Sequence, residues 1–119
     1  MKKIKTSEAI GPALDWLVYL CYWGGDVEKY GDDYLKYKGR IGDGDSMWSP
    51  STSWQDGGPI VERGRINLRA SGAGNWVARS HDVAHPKLII QYGPTALIAA
   101  MRCCVVSKLG DEVEVPEEL

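Results

Sequence analysis

Tyr92-Gly93-Pro94-Thr95 opens an apolar run, Ala96 to Lys108, that stops at Gly110 and gives way to Asp111-Glu112-Val113-Glu114-Val115-Pro116. Pro94 suits the first position of a helix, where its missing N–H costs nothing, and Gly110 suits its end. Leu97, Ile98, Met101, Cys104, Val105 and Leu109 recur at helical spacing and mark a buried face. The opposite side holds Ala99, Cys103 and Val106, and only Arg102, Ser107 and Lys108 are polar. A helix that is apolar nearly all round is either central to its domain or shared with a partner. The run therefore predicts the buried centre of the fold or the seam of a homodimer. Beyond it, Val113 and Val115 alternate with glutamates as a short edge strand would.

Working back from this run, a first helix is expected from Pro12 to about Trp23. Ala13, Leu14, Leu17, Leu20 and Cys21 lie at helical spacing, and Gly24-Gly25 stops it. Between the helices, Ile60–Arg63, Arg65–Ala70 and Trp76–Ser80 read as strands separated by Gly64 and by the turn Ser71–Asn75. Leu88-Ile89-Ile90 reads as a further strand or a buried approach to the last helix. If Ala70 faces Trp76, then Ile66, Leu68, Ala70, Trp76 and Ala78 share one face, and Arg65, Asn67, Arg69, Val77 and Arg79 the other. The expected fold is α+β: a small antiparallel sheet of three to four strands packed against an N-terminal and a C-terminal helix. Residues 1–119 form one domain, with a polar, glycine-rich surface loop at about 24–47 and an acidic tail at 111–119.

Composition narrows the function classes. The chain has 119 residues, 44% apolar and 25% charged, as an ordinary globular domain does. No apolar run approaches the roughly 20 residues that span a bilayer, and no signal-peptide pattern follows Met1-Lys2-Lys3-Ile4-Lys5. Three cysteines without framework spacing fit reduced thiols in a cytoplasm. Net charge is −2, yet five of the sixteen acids lie in the last nine residues, leaving eleven acids against fourteen bases in the body. That weak basicity is not the footprint of a strong nucleic-acid binder. Five Trp, six Tyr and no Phe give every large aromatic a polar tip, which favours the core edge and the surface.

Three separated blocks resemble the NinX-like family of small bacteriophage and prophage proteins. The first is Lys3-Ile4-Lys5-Thr6-Ser7-Glu8 with Ala13-Leu14-Asp15-Trp16. The second is Ser49-Pro50-Ser51-Thr52 with Trp54 and Gly57-Gly58-Pro59-Ile60. The third is Tyr92-Gly93-Pro94-Thr95 through Leu97-Ile98-Ala99-Ala100-Met101-Arg102 to Ser107-Lys108-Leu109-Gly110-Asp111. The likeness covers most of the chain except the segment between Gly24 and Met47, which is longer and more irregular than the family pattern. The resemblance implies a phage accessory protein working in the bacterial host cytoplasm, and it brings no catalytic residues with it.

The best site candidate is the loop Trp48 to Pro59. Trp48 and Trp54, the hydroxyls of Ser49, Ser51 and Thr52, and Gly57-Gly58 would make a ligand-binding surface by stacking, hydrogen bonding and close backbone approach. The plainer reading is a structured loop whose indoles cover the core edge. Arg63, Arg65, Arg69 and Arg79 would form a phosphate-gripping stripe for nucleic acid, or simply a solvated sheet face. His81, Asp82 and His85 lack the further ligands of a metal site, with Pro86 following directly. Adjacent Cys103 and Cys104 diverge by about 100° on a helix and cannot chelate together. No catalytic set, cofactor motif or metal site is expected. The leading expectation is an accessory protein that binds a host or phage protein without catalysis. Nucleic-acid binding is the alternative, followed by a small-molecule-processing enzyme centred on Trp54 and Gly57-Gly58.

Overall fold

The computed structural model describes residues 2–23, 48–81, 88–117 and 119. In chain order it contains β1 (Lys2–Lys5), a 3-10 turn (Thr6–Glu8), α1 (Gly11–Trp23) and α2 (Trp54–Arg63). Then follow β2 (Asn67–Ala70), β3 (Trp76–His81), β4 (Leu88–Gly93), α3 (Ala96–Leu109) and β5 (Glu112–Val115). The expected polar loop at about 24–47 lies outside the described residues.

The fold is α+β, with β2, β3 and β4 forming an antiparallel sheet in that order and β1 pairing antiparallel with β5 in a second, two-stranded sheet. Ala70 faces Trp76, and the expected alternation of faces across β2 and β3 follows from that register. The β1–β5 pair was not anticipated from β1, because Lys2, Lys3 and Lys5 mask a single half-buried Ile4. Thr6 locks it: its N–H donates to the Asp111 carbonyl at 2.8 Å, and its hydroxyl to the Gly110 carbonyl at 2.7 Å.

Helix α3 is the centre of the molecule. The sheet packs on one side of it and α1 on another, so α1 sits behind α3 instead of beside it on the sheet. Leu97 through Val105 are all buried, which is why the run is apolar nearly all round. Each large aliphatic side chain fully buried there contributes about 1.5–3 kcal/mol. Both apolar sides are thus covered by the chain's own elements, and α3 needs no second copy to cover them. Only its end emerges: Leu109, expected on the buried face, is 39% exposed. The helix begins two residues later than Pro94 suggests because Thr95 is the cap, its hydroxyl accepting the Ile98 N–H at 3.1 Å. Gly110 closes it at φ 93°, a left-handed conformation that glycine adopts without penalty.

Two sequence expectations are corrected in the middle of the chain. Trp54–Pro59 is helical instead of irregular, and Ile60–Arg63 continues the same helix instead of forming a strand. Gly57, Gly58 and Pro59 are poor helix formers, and Pro59 forfeits one backbone hydrogen bond. Tertiary contacts hold α2 despite them. Asp56 accepts the Ser49 N–H at 2.9 Å, Ile60 is buried, and Gly57 lies against the Pro50 carbonyl and Leu97. Buried Asp15 of α1 ties the preceding turn to the core by accepting the Ser51 N–H at 2.8 Å.

Candidate functional site

The loop and the first turn of α2 form one wall of a groove of about 400 Å³. Ser51, Thr52 and Trp54 come from that side; Trp76 at the start of β3 and residues 95–98 at the N-terminus of α3 close the other. The Trp54 indole is 56% exposed, while Ser51 is buried with a hydroxyl that has no hydrogen-bond partner among the described residues. Among the described residues the lining carries no acid, base or thiol; it sets two indole rings beside the hydroxyl residues Ser51, Thr52 and Thr95.

The other candidates in that loop serve elsewhere. Trp48 packs half-buried against the core, and Ser49 donates its N–H to Asp56. Gly57 is buried, and a Cβ there would strike the Pro50 carbonyl oxygen and come within 2.7 Å of the Leu97 side chain. Its missing side chain serves packing, not approach of a ligand. Gly58 faces open space. Trp76 and Thr95, which sequence reasoning left out, enter the groove because folding brings distant segments to it.

The arginine stripe is divided. Arg63 ends α2, with its guanidinium 5.8 Å from the Tyr22 ring centroid. Arg65 stands at φ 50° in the turn after that helix. Neither reaches the sheet face, because the strand expected at Ile60–Arg63 is helix and the one expected from Arg65 begins only at Asn67. Arg69 and Arg79 do share the outer face, on β2 and β3. Register extends that face onto β4: Arg69 lies in one cross-strand row with Val77 and Tyr92, Arg79 faces Ile90, and His81 faces Leu88. Leu88, Ile90 and Tyr92 are 44%, 38% and 58% exposed there. The inner positions Ile89, Gln91 and Gly93 turn toward α3, with Gly93 so close that a Cβ would sit 2.7 Å from the Ala99 nitrogen. One strand thus carries large apolar or aromatic side chains on its outward positions as well as a packed inner side. His81 is exposed at the end of β3, and Asp82 and His85 lie outside the described residues.

A second cleft, of about 370 Å³, gathers the titratable groups. Cys21 of α1 and Cys104 of α3 line it with Tyr22, Arg63, Ser80 and Lys108. The Cys21 thiol donates a hydrogen bond to the Cys104 sulfur. That bond, helped by Lys108, holds the Cys104 pKa below the ordinary thiol value, while the same bond and burial push Cys21 far up. Cys103 points elsewhere, its thiol donating to the Ile89 carbonyl at 3.7 Å, and burial pushes it up to about 12. The two adjacent cysteines therefore do diverge, as the helical geometry requires.

Arg102 is the polar residue whose role the sequence concealed. It is buried in α3, where Nε donates to the Ala9 carbonyl and Nη1 to the Tyr92 carbonyl, each at 2.8 Å. Burial lowers its pKa, opposed by the Glu8 carboxylate. It fastens the end of β4 and the start of α1 to the central helix.

Among the described residues, no helix is long and apolar enough to cross a membrane. No curated protein sequence matches the chain. A family model described as "Bacteriophage P22, NinX" matches residues 5–108, which take in the second block whole and the first and third except Lys3, Ile4 and Leu109 to Asp111, and which run from α1 through the three-stranded sheet into α3. The chain belongs to the bacteriophage P22 NinX family.

Proposed function

We propose that this is a phage accessory protein that acts in the host cytoplasm by binding a host or phage protein, without catalysis, through the outer face of its three-stranded sheet. The observation that carries this reading is the outward row Leu88, Ile90 and Tyr92 on β4. The face of an antiparallel sheet that turns from the core is ordinarily polar. Large apolar side chains there, rimmed by charge, are what interaction surfaces present. Tyr and Arg are also the residues in which interface energy concentrates. Arg69 and Arg79 flank the row, so the partner it fits carries an apolar centre with carboxylates around it.

Affinity capture from phage-infected cells tests this with three baits: wild type, Ile90→Asp, and Arg69→Ala with Arg79→Ala. A single host or phage protein retained by wild type, lost with Ile90→Asp and weakened by the arginine pair is the expected result. Equal retention by all three baits would overturn it. A homodimer, first expected through the last helix, is tested on the same face: a second copy seated there appears as a dimer in light scattering and dissociates with Ile90→Asp.

One specific observation supports the nucleic-acid reading. Tyr92 stands in the same cross-strand row as Arg69, two strands away across Val77, so an exposed ring for base stacking and a cation for phosphate share one face. A filter-binding titration at low salt decides it: retention of single-stranded DNA or RNA that Arg69→Ala and Arg79→Ala reduce, with a shallower salt dependence, favours nucleic acid over protein.

A further inference from the structure

The cleft between α1 and α3 holds two thiols, Cys21 donating a hydrogen bond to Cys104, which the proposed docking face does not use. Cys104 is 7% exposed and Cys21 half-buried, and both line the same 370 Å³ space. The cations are equally specific. Lys108 Nζ lies 4.8 Å from the Tyr22 ring centroid and Arg63 5.8 Å from it, and no carboxylate lines the cleft among the described residues. Both cations are exposed at the mouth. A thiol pair at the end of a positively charged entrance favours a negatively charged reagent, since a cleft lined by one sign of charge concentrates ions of the other.

We propose that Cys21 and Cys104 are an oxidisable thiol pair, and that their cleft takes up a small anionic disulfide which converts them to an intramolecular disulfide joining α1 to α3. The Cys104 sulfur, as thiolate, attacks one sulfur of the small disulfide. A Cys104–sulfur bond forms, the small disulfide's S–S bond breaks, and one thiolate leaves and takes a proton from solvent. The Cys21 thiol then gives its proton to solvent and attacks the Cys104 sulfur, expelling the second small thiolate, which is protonated in turn. Two protein thiols and one disulfide become one protein disulfide and two small thiols, so the protein loses two electrons and the reagent gains them. Cys104 is the first attacker because the hydrogen bond from Cys21 and the nearby ammonium of Lys108 favour its ionised form. Cys103 stays out, being fully buried with its thiol on the Ile89 carbonyl.

The test uses the full reduced chain under native conditions with glutathione disulfide, followed by mass spectrometry and peptide mapping. The expected product has lost two hydrogens and carries a Cys21–Cys104 link, with Cys103 free. Cys21→Ser should stop at the first step and retain one glutathione on Cys104. A link involving Cys103, or a wild-type protein that takes up no oxidant, overturns the proposal. Charge selection is read separately, by comparing glutathione disulfide with neutral hydroxyethyl disulfide and cationic cystamine. Wild type should react fastest with the anionic reagent, by roughly tenfold over cystamine. Arg63→Ala with Lys108→Ala should abolish that order when each rate is taken relative to the neutral reagent, whose own reaction slows because Lys108 also favours the Cys104 thiolate, and an order that survives both substitutions rejects the anionic selection.

Discussion

The two sides of β4 obey different rules. On the inner side Ile89 is buried, Gly93 lies against the Ala99 backbone, and the Ile89 carbonyl accepts the Cys103 thiol. On the outer side Leu88, Ile90 and Tyr92 remain open to solvent. The inner residues are explained by the fold, since each has a contact that its removal would leave unfilled or unpaired. The outer ones add nothing that α3 requires, so their apolar character calls for another surface. Tyr92 belongs to both sides: its carbonyl is held by Arg102 while its ring faces out.

That contrast breaks most severely at Arg102. Arg102→Ala leaves the Ala9 and Tyr92 carbonyls without their donor and should cost about 3 kcal/mol in urea unfolding. A loss under about 1 kcal/mol would mean that water replaces the guanidinium and that the inner side is less dry than its burial implies. Next comes Gly93→Ala. Its Cβ meets backbone, not a flexible side chain end, so about 2 kcal/mol should be lost as α3 is pushed from the sheet. Tyr92→Ala, one position away, should leave the unfolding midpoint nearly unchanged.

A pH series sharpens the same contrast more gently. The Cys103 thiol is raised from its ordinary 9.0 to about 12, so the folded state holds its proton more tightly than the unfolded one. Its contribution is full below pH 9 and is lost as pH rises toward 12. The melting temperature should fall across that window, and less steeply in Cys103→Ala. Parallel curves would assign the decline to other groups. The smallest effect is expected outside: Ile90→Asp should shift stability by no more than about 0.5 kcal/mol while removing partner capture. A large destabilisation would show that Ile90 serves the fold after all.

What the sequence disclosed followed the range of its signals. Helix α3 was legible because its stop and its periodicity are local, and once Ala70 is set opposite Trp76, as it is in the sheet, alternation alone gives the faces of β2 and β3. Helix α2 was not, since Gly57, Gly58 and Pro59 carry breaker chemistry, and what overrides it, the Pro50 carbonyl and Asp56, acts through the folded arrangement. The groove was half visible: Ser51, Thr52 and Trp54 were named from one loop, whereas Trp76 and Thr95 reach it from other elements. For β4, apolar residues on both faces left no polar alternation to say which side was buried. The meeting of Cys21 with Cys104 joins opposite ends of the chain, and spacing is silent about it.

The pairing of β1 with β5 also orders events in time. Lys2–Lys5 are synthesised long before Glu112–Val115, yet among the described residues each is the other's strand partner in that sheet. Thr6 likewise waits for the Gly110 and Asp111 carbonyls. A chain still on the ribosome can gather α1 early, but β1 cannot pair until β5 has emerged. Such distant closure slows folding, and it makes the arrival of β5 the step that closes the two-stranded sheet.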